Sequence, residues 1–509
     1  MQKHSLPKAI RWYGLSLTAI FCFYVCPLCG AQAADTTQEY SRQPMASNAS
    51  EMDDALQVFK KYEPPAWSLH NALGLPDWLT VNVDQRTRYE SMDGTFKAGT
   101  KGGDQAIPLQ TALWLQAKLG AFRISTEFMD SRESGIDRGS NVNSNQVDTL
   151  DFVQAFISWA NQSIFESDIG AEVRVGRQTM ELGSRRLVAR PIFRNTMSSF
   201  TGVRLRLLER DHWRLNSFVT LPVLHFPNSS TAILNDVQQF DQEATRTWFS
   251  GGFLEFFNLG WGINSELYLY NLDEADSFNN PTRKRRYFTP GFRLLRNPAK
   301  GKLDFQAELM EQFGTVRATT TSTQDLPHQA WSQHINLGYT FDLPWSPRFA
   351  LEYDYASGNH NYNAKNPATT NSDHRFDPLY GGAVQDFGPT GIYGPFSRSN
   401  INTPGYRLQL SPRHDVQLTL QQRLFWLASA SDCWGGSACY NSLNLLPGKN
   451  SGSFIGDQLG FQARYDFNSS LNLEAGWFRL FKGQFAKQAS NAPAGQDVDY
   501  FYLQSQLRF

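Results

Sequence analysis

From Leu79 to the end of the chain, apolar and polar residues alternate with a period of two. Leu303, Phe305, Ala307 and Leu309 alternate with Asp304, Gln306 and Glu308. Leu459, Phe461, Ala463, Tyr465 and Phe467 alternate with Gln458, Gln462, Arg464 and Asp466. Val203, Leu205 and Leu207 do so with Arg204 and Arg206, and Phe501, Leu503, Leu507 and Phe509 with Gln504, Gln506 and Arg508. Successive side chains of a strand point to opposite faces, so each segment has one apolar and one polar face. Eighteen such segments can be placed between 79–90 and 499–509; the least regular, 285–296, contains Pro290-Gly291.

The connections alternate in length. Long ones such as 91–106, 179–196, 222–246 and 359–404 are followed by short ones such as 209–210, 258–260 and 468–469. Every second connection therefore lies on the same side, as in transmembrane barrels with tight periplasmic turns and long external loops. An open sheet edge in hydrocarbon leaves backbone groups unsatisfied at several kcal/mol each, so the sheet must close. The expected fold is all-β: a closed antiparallel transmembrane β-barrel of about eighteen strands over 78–509, with Phe509 ending the closing strand. Trp159, Trp261, Tyr353, Trp477 and Tyr500, near strand ends, suit the aromatic girdles of such barrels.

Composition fits this pattern. The mean hydropathy of −0.44 resembles that of a soluble protein, but half of each strand, the turns and the loops are polar. Among 509 residues, a single uncharged stretch near the N-terminus is long enough for a membrane helix, which excludes a polytopic helical transporter. With 47 basic and 48 acidic residues there is no overall basic footprint for nucleic acid.

Lys3, Lys8 and Arg11 precede that stretch, Trp12 to Cys29, and Ala31-Gln32-Ala33-Ala34 follows it. This is the order of a secretory signal peptide over 1–34, and cleavage would leave 44 basic and 48 acidic residues. Residues 35–77 read as a periplasmic segment, with Met52, Ala55, Leu56 and Phe59 at helical spacing. Cleavage also leaves two cysteines, Cys433 and Cys439, bracketing Gly-Gly in an exported chain; a local disulfide is expected rather than a metal pair.

The polar face of the strands carries Arg86, Arg88, Arg123, Arg174, Arg204 and Arg206, and Arg177 follows closely. An arginine facing lipid at mid-bilayer would cost about 2–4 kcal/mol, so these side chains are expected inside. Guanidinium groups bind carboxylates bidentately and stay charged. A belt of them would concentrate a polyanion and exclude cations. Carboxylates such as Glu90, Glu127, Glu172, Glu308, Glu352 and Asp354 share that face, so part of the charge is expected to form structural ladders.

Several segments resemble the alginate-export outer-membrane porin family: Ala72-Leu-Gly-Leu-Pro-Asp-Trp78, Arg86-Thr-Arg-Tyr-Glu90, Gly176-Arg-Gln178, Phe200-Thr-Gly-Val-Arg204, Tyr353-Asp-Tyr-Ala-Ser-Gly358 and Phe376-Asp-Pro-Leu-Tyr380. The resemblance implies a monomeric barrel whose arginine-rich lumen passes an anionic uronate polysaccharide. By position it implies that Arg86, Arg88, Arg174, Arg177 and Arg204 line or approach the passage. Two departures stand out. Thr201 replaces the acid of the usual Phe-Asp-Gly-Val-Arg motif, which would remove an acidic partner from a neighbouring arginine. Asn468-Ser469 is too short for the gating periplasmic turn seen between late strands of the best-known exporter.

No Gly-rich phosphate loop, His-Glu-x-x-His or Gly-x-Ser-x-Gly motif occurs. The nine histidines are scattered, and neither His212 nor His225 can be paired with a serine. No enzyme, cofactor or metal is expected. The reading is a bacterial outer-membrane channel for an anionic polysaccharide or oligosaccharide. Its expected partners are that solute, outer-membrane lipid and periplasmic secretion or biosynthesis proteins, with no nucleic acid. An uptake porin for small anionic solutes and a surface adhesin with an occluded lumen remain alternatives. The 359–404 loop serves as plug or binding surface in these readings.

Overall fold

A computed structural model describes residues 65–509 apart from 138–139, 141, 278–279, 361–370, 383, 437–438 and 440–442. The signal-peptide segment and the helix expected at 52–59 lie outside the described residues. Eighteen long strands form the wall: β1 (Leu79–Asp93), β2 (Asp104–Leu119), β3 (Phe122–Ser134), β4 (Asp148–Asn161), β5 (Ile169–Gln178), β6 (Phe200–Glu209), β7 (Trp213–Leu224), β9 (Thr247–Phe256), β10 (Ile263–Glu274), β11 (Arg286–Arg296), β12 (Lys302–Arg317), β13 (Asp325–Thr340), β14 (Arg348–Ala356), β15 (Ile401–Arg413), β16 (Val416–Trp426), β17 (Phe454–Asp466), β18 (Leu471–Lys482) and β19 (Val498–Arg508). A two-residue strand, β8 (Gln242–Glu243), is added to the end of β7.

Each wall strand pairs antiparallel with the next, and β1 closes on β19 from Asp84 opposite Arg508 to Asp93 opposite Asp499. Closure satisfies the edge that hydrocarbon would leave unpaired. Leu267, Leu303, Leu309, Ile335, Leu351 and Leu503 are exposed on the outer face, while their neighbours Glu266, Asp304, Glu308, His334, Glu352 and Gln504 are buried inside. The register therefore places the polar half of the alternation in the lumen.

Short turns such as 120–121, 210–212 and 414–415 share one rim, and loops such as 179–199, 225–246, 357–400 and 427–453 share the other. One expected long connection is replaced by strand. β12 and β13 extend until Arg317 faces Asp325, leaving only 318–324 between them. The Arg317 Nε donates to Asp325 at 3.1 Å, and this cross-strand charge pair continues the hairpin past the rim. Pro290-Gly291 does not break β11, because Gly291 lies beneath the ring of Tyr268, where a Cβ would come within 2.1 Å of the ring.

Below the short-turn rim, Ser68 caps a five-residue helix, Leu69–Leu73, that ends on left-handed Gly74. Trp67 packs on Phe509 at 6.3 Å and its backbone N–H donates to Ser470 Oγ, tying this entry segment to the closing seam.

Candidate functional site

Across four adjacent strands, β3 to β6, three set arginines on the inner wall, with Ser158 of β4 between them. The register places Arg123 opposite Ser158, Ser158 opposite Arg174, and Arg174 opposite Arg204. Like charges directly opposed on one sheet face repel. Neighbours hold them in place: Arg174 Nε donates to Glu172 at 2.8 Å, Arg206 donates to the other Glu172 oxygen at 2.9 Å, and Arg204 donates to Asn216 at 2.7 Å. The Arg174 guanidinium also lies 4.9 Å from the Phe156 ring centre. Arg123 is the second residue of β3 after the turn 120–121, and Arg206 nears the end of β6, so the group lies toward the short-turn mouth.

Arg86 and Arg88 stand deeper, at mid-height of β1. Arg86 donates to the carbonyls of Ile192 at 2.7 Å and Arg194 at 3.0 Å. Arg88 pairs with Glu90 at 2.6 Å and covers the Phe193 ring at 3.9 Å. Their partners show that loop 179–199 turns into the barrel. Burial pulls the Arg194 guanidinium of that loop down to about 10.

The second inward loop is 357–400. Its Asp386 accepts a two-pronged bond from Arg186 of the first loop, both contacts at 2.9 Å, and Arg186 reaches Glu308 of β12 at 2.7 Å. Arg398 joins Asp386 to Asp354 of β14 at 2.8 Å, while Arg423 of β16 binds Glu352 at 2.9 Å and also Asp354. His334 Nδ1 lies 2.8 Å from Asp354. Arg190 forks onto Glu127 at 2.6 and 2.9 Å. Burial opposes the charge on Asp386, but Arg186 and Arg398 outweigh it and hold the carboxyl below the usual range. Burial likewise opposes the charge on Arg186, and Asp386 and Glu308 outweigh it, raising its pKa. Two loops and the wall thus share one buried ion-pair latch.

Phe376-Asp-Pro-Leu-Tyr380 is an anchor for the second loop. Asp377 accepts from Arg285 and from the Tyr287 hydroxyl, both at 2.6 Å, and Tyr380 packs between Phe200 and Phe249 at 5.0 and 4.9 Å. Gly176 and Gly202 allow neighbouring strands to approach: a Cβ would stand 2.4 Å from the Ala155 carbonyl oxygen and 2.2 Å from that of Val219.

Of the sequence-predicted residues, Arg86, Arg88, Arg123, Arg174, Arg204 and Arg206 all face inward. Arg177 does not join them. It shares the outer face with Val175 and donates to Glu243 at 2.8 Å. Thr201, directly opposite, donates to the same Glu243 at 2.9 Å. The acid that the motif lacks at 201 is supplied here by the loop between β7 and β9. Cys433 and Cys439 form a disulfide, beside which Arg375 binds Asp432 at 2.7 Å.

Sequence reasoning missed the latch. Arg185, Arg186, Arg190 and Arg194 crowd a segment without alternation, and that contrast was the available signal. It also missed two groups that unite distant residues, His334 with Asp354 and Asp386, and Asp148 with His225 and Asp241.

A family model described as alginate export matches residues 77–497. Among solved structures, Acinetobacter baumannii OccAB3 matches with a TM-score of 0.51 at 11% identity, covering 85% of this chain and 99% of its own. Pseudomonas aeruginosa OpdQ gives 0.52 at 12%, covering 86% and 99%. Pseudomonas aeruginosa OccK2, solved in complex with glucuronate, gives 0.50 at 12%, covering 85% and 98%. No curated protein matches in sequence.

Proposed function

The chain belongs to the alginate export family, a barrel of the outer-membrane porin type, and from that premise we propose that it passes an anionic uronate polysaccharide or oligosaccharide outward through its lumen. The family and the fold point to a channel rather than an enzyme. The observation that carries the reading is the row Arg123, Arg174 and Arg204, with Arg206 beside it, at the short-turn mouth. In the porin orientation that mouth faces the periplasm. A uronate chain bears a carboxylate on each sugar, and adjacent guanidinium groups replace part of each carboxylate's hydration. Several weak sites in sequence allow the chain to leave as readily as it enters. No covalent chemistry is involved.

Transfer past mid-height requires the latched loops to yield. Carboxylates of the solute resemble Asp386 and Glu308 chemically, so they compete for Arg186 and Arg398. Uptake of a small anion is the second reading. It is favoured by the two loops that turn into the barrel, and OccK2 of similar fold was solved in complex with glucuronate.

Reversal potentials in planar bilayers test the charge assignment. The wild-type protein is expected to select anions, and an Arg174→Glu, Arg204→Glu double variant to lose or invert that selectivity. Equal reversal potentials in both proteins would refute it.

A further inference from the structure

At the long-loop rim, three segments distant in sequence converge on one point: Asp148 opens β4, His225 follows β7, and Asp241 precedes β8. His225 Nδ1 lies 2.8 Å from Asp241 Oδ2 and 3.4 Å from Asp148 Oδ2, and the three donor atoms all lie within 4.8 Å of one another. Ligand bonds of about 2.0–2.2 Å place donors roughly 3.0–3.4 Å apart around one ion. The carboxylates are 2% and 8% exposed.

The surroundings are richer in acid than the cluster alone. Asp151 accepts the Asp241 backbone N–H, and Arg177 stands 3.7 Å from Asp151. The second Asp241 oxygen is occupied, accepting from Phe226 N–H at 2.7 Å. The second oxygen of Asp148 is buried and has no hydrogen-bond partner among the described residues, and neither has the buried hydroxyl of the adjacent Thr149. An uncompensated buried polar atom costs about 1–3 kcal/mol, more when charged. The orphaned Asp148 oxygen is an observation beyond the donor distances of the cluster, and a buried, unpartnered carboxylate oxygen calls for a cation.

We propose that Asp148, His225 and Asp241 bind one first-row divalent metal ion, of which Zn2+ is the reference case. One imidazole nitrogen with two carboxylates suits zinc or manganese better than calcium, whose sites are built from oxygens. The ion would fasten the loop carrying β8 to the mouth of β4. It lies at the outer rim, far along the strands from the arginine row, so it has no part in moving the solute. Its failure and that of the channel reading are therefore distinguishable.

The test uses the full mature protein in detergent, stripped with EDTA and titrated with ZnCl2 by calorimetry. Tight uptake is expected that falls by one equivalent in both Asp148→Asn and His225→Gln, with heat-modifiable gel migration showing that the variants fold. Co2+ added to the stripped wild-type protein should give a visible absorption band of a nitrogen–oxygen site at one equivalent. An unchanged zinc stoichiometry in both variants, or no Co2+ band in the wild type, would overturn the proposal.

Discussion

Arg186 and Arg174 show how one residue type serves two purposes in this barrel. Arg174 stands in a row with Arg204 across the sheet and shares Glu172 with Arg206. Arg186 is bound on both sides by carboxylates, Asp386 and Glu308. In the proposed channel the first arrangement would draw an anion in, and the second ties the two inward loops to the wall. Removing one member of a buried pair leaves its partner's charge uncompensated, a loss of about 3–5 kcal/mol. Arg186→Ala is therefore expected to loosen both loops and raise single-channel conductance in planar bilayers. A conductance equal to wild type would show that the latch does not limit passage. At this scale the sequence was only partly legible. Strand parity predicts the inward arginines, because a period of two leaves one choice of face. Arg177 shows the limit: the arginine density of this part of the chain and the family resemblance both suggest a place in the lumen, but its own parity, shared with Val173 and Val175, sets it outside. The partnership of Thr201 with Glu243 joins residues from separate segments, which no local pattern reveals.

Among the elements, the strands were legible and the inward loops were not. A strand writes its burial into the chain as alternation, since lipid and lumen differ on its two sides. Loops 179–199 and 357–400 are held by bonds to many strands, and nothing periodic marks such contacts. Loop 357–400 depends on carboxylates. Burial opposes the charge of Asp377, but Arg285 and the Tyr287 hydroxyl outweigh it and hold it below the usual range, as the arginines do for Asp386. A carboxyl whose folded-state pKa is depressed contributes stability above its unfolded value of about 3.9 and loses it as pH falls through the folded value. Protection of residues 371–400 against hydrogen exchange is therefore expected to stay constant from about pH 7 to 5 and to fall only below about pH 4. Loss of protection already between pH 7 and 5 would contradict the ion-pair anchoring.

The whole molecule reconciles a soluble-looking composition with a membrane fold. Its lipid-side apolar residues form an outer band, others such as Phe193, Phe396 and Phe425 pack inside with the loops, and its charges are turned inward or lie at the rims. Closure of β19 on β1 makes this possible, because every strand then has two partners. The result is a wall with a row of inward arginines toward the short-turn mouth, and two inward loops whose acids pair with further arginines. The central claim is that this lumen conducts uronate chains. Swelling of liposomes containing the protein, measured with uronate oligomers and with neutral oligosaccharides of equal length, tests it most directly. The account predicts faster swelling with the uronates, diminishing with oligomer length more slowly than for the neutral sugars. Equal rates for both, or no swelling with either, would contradict it.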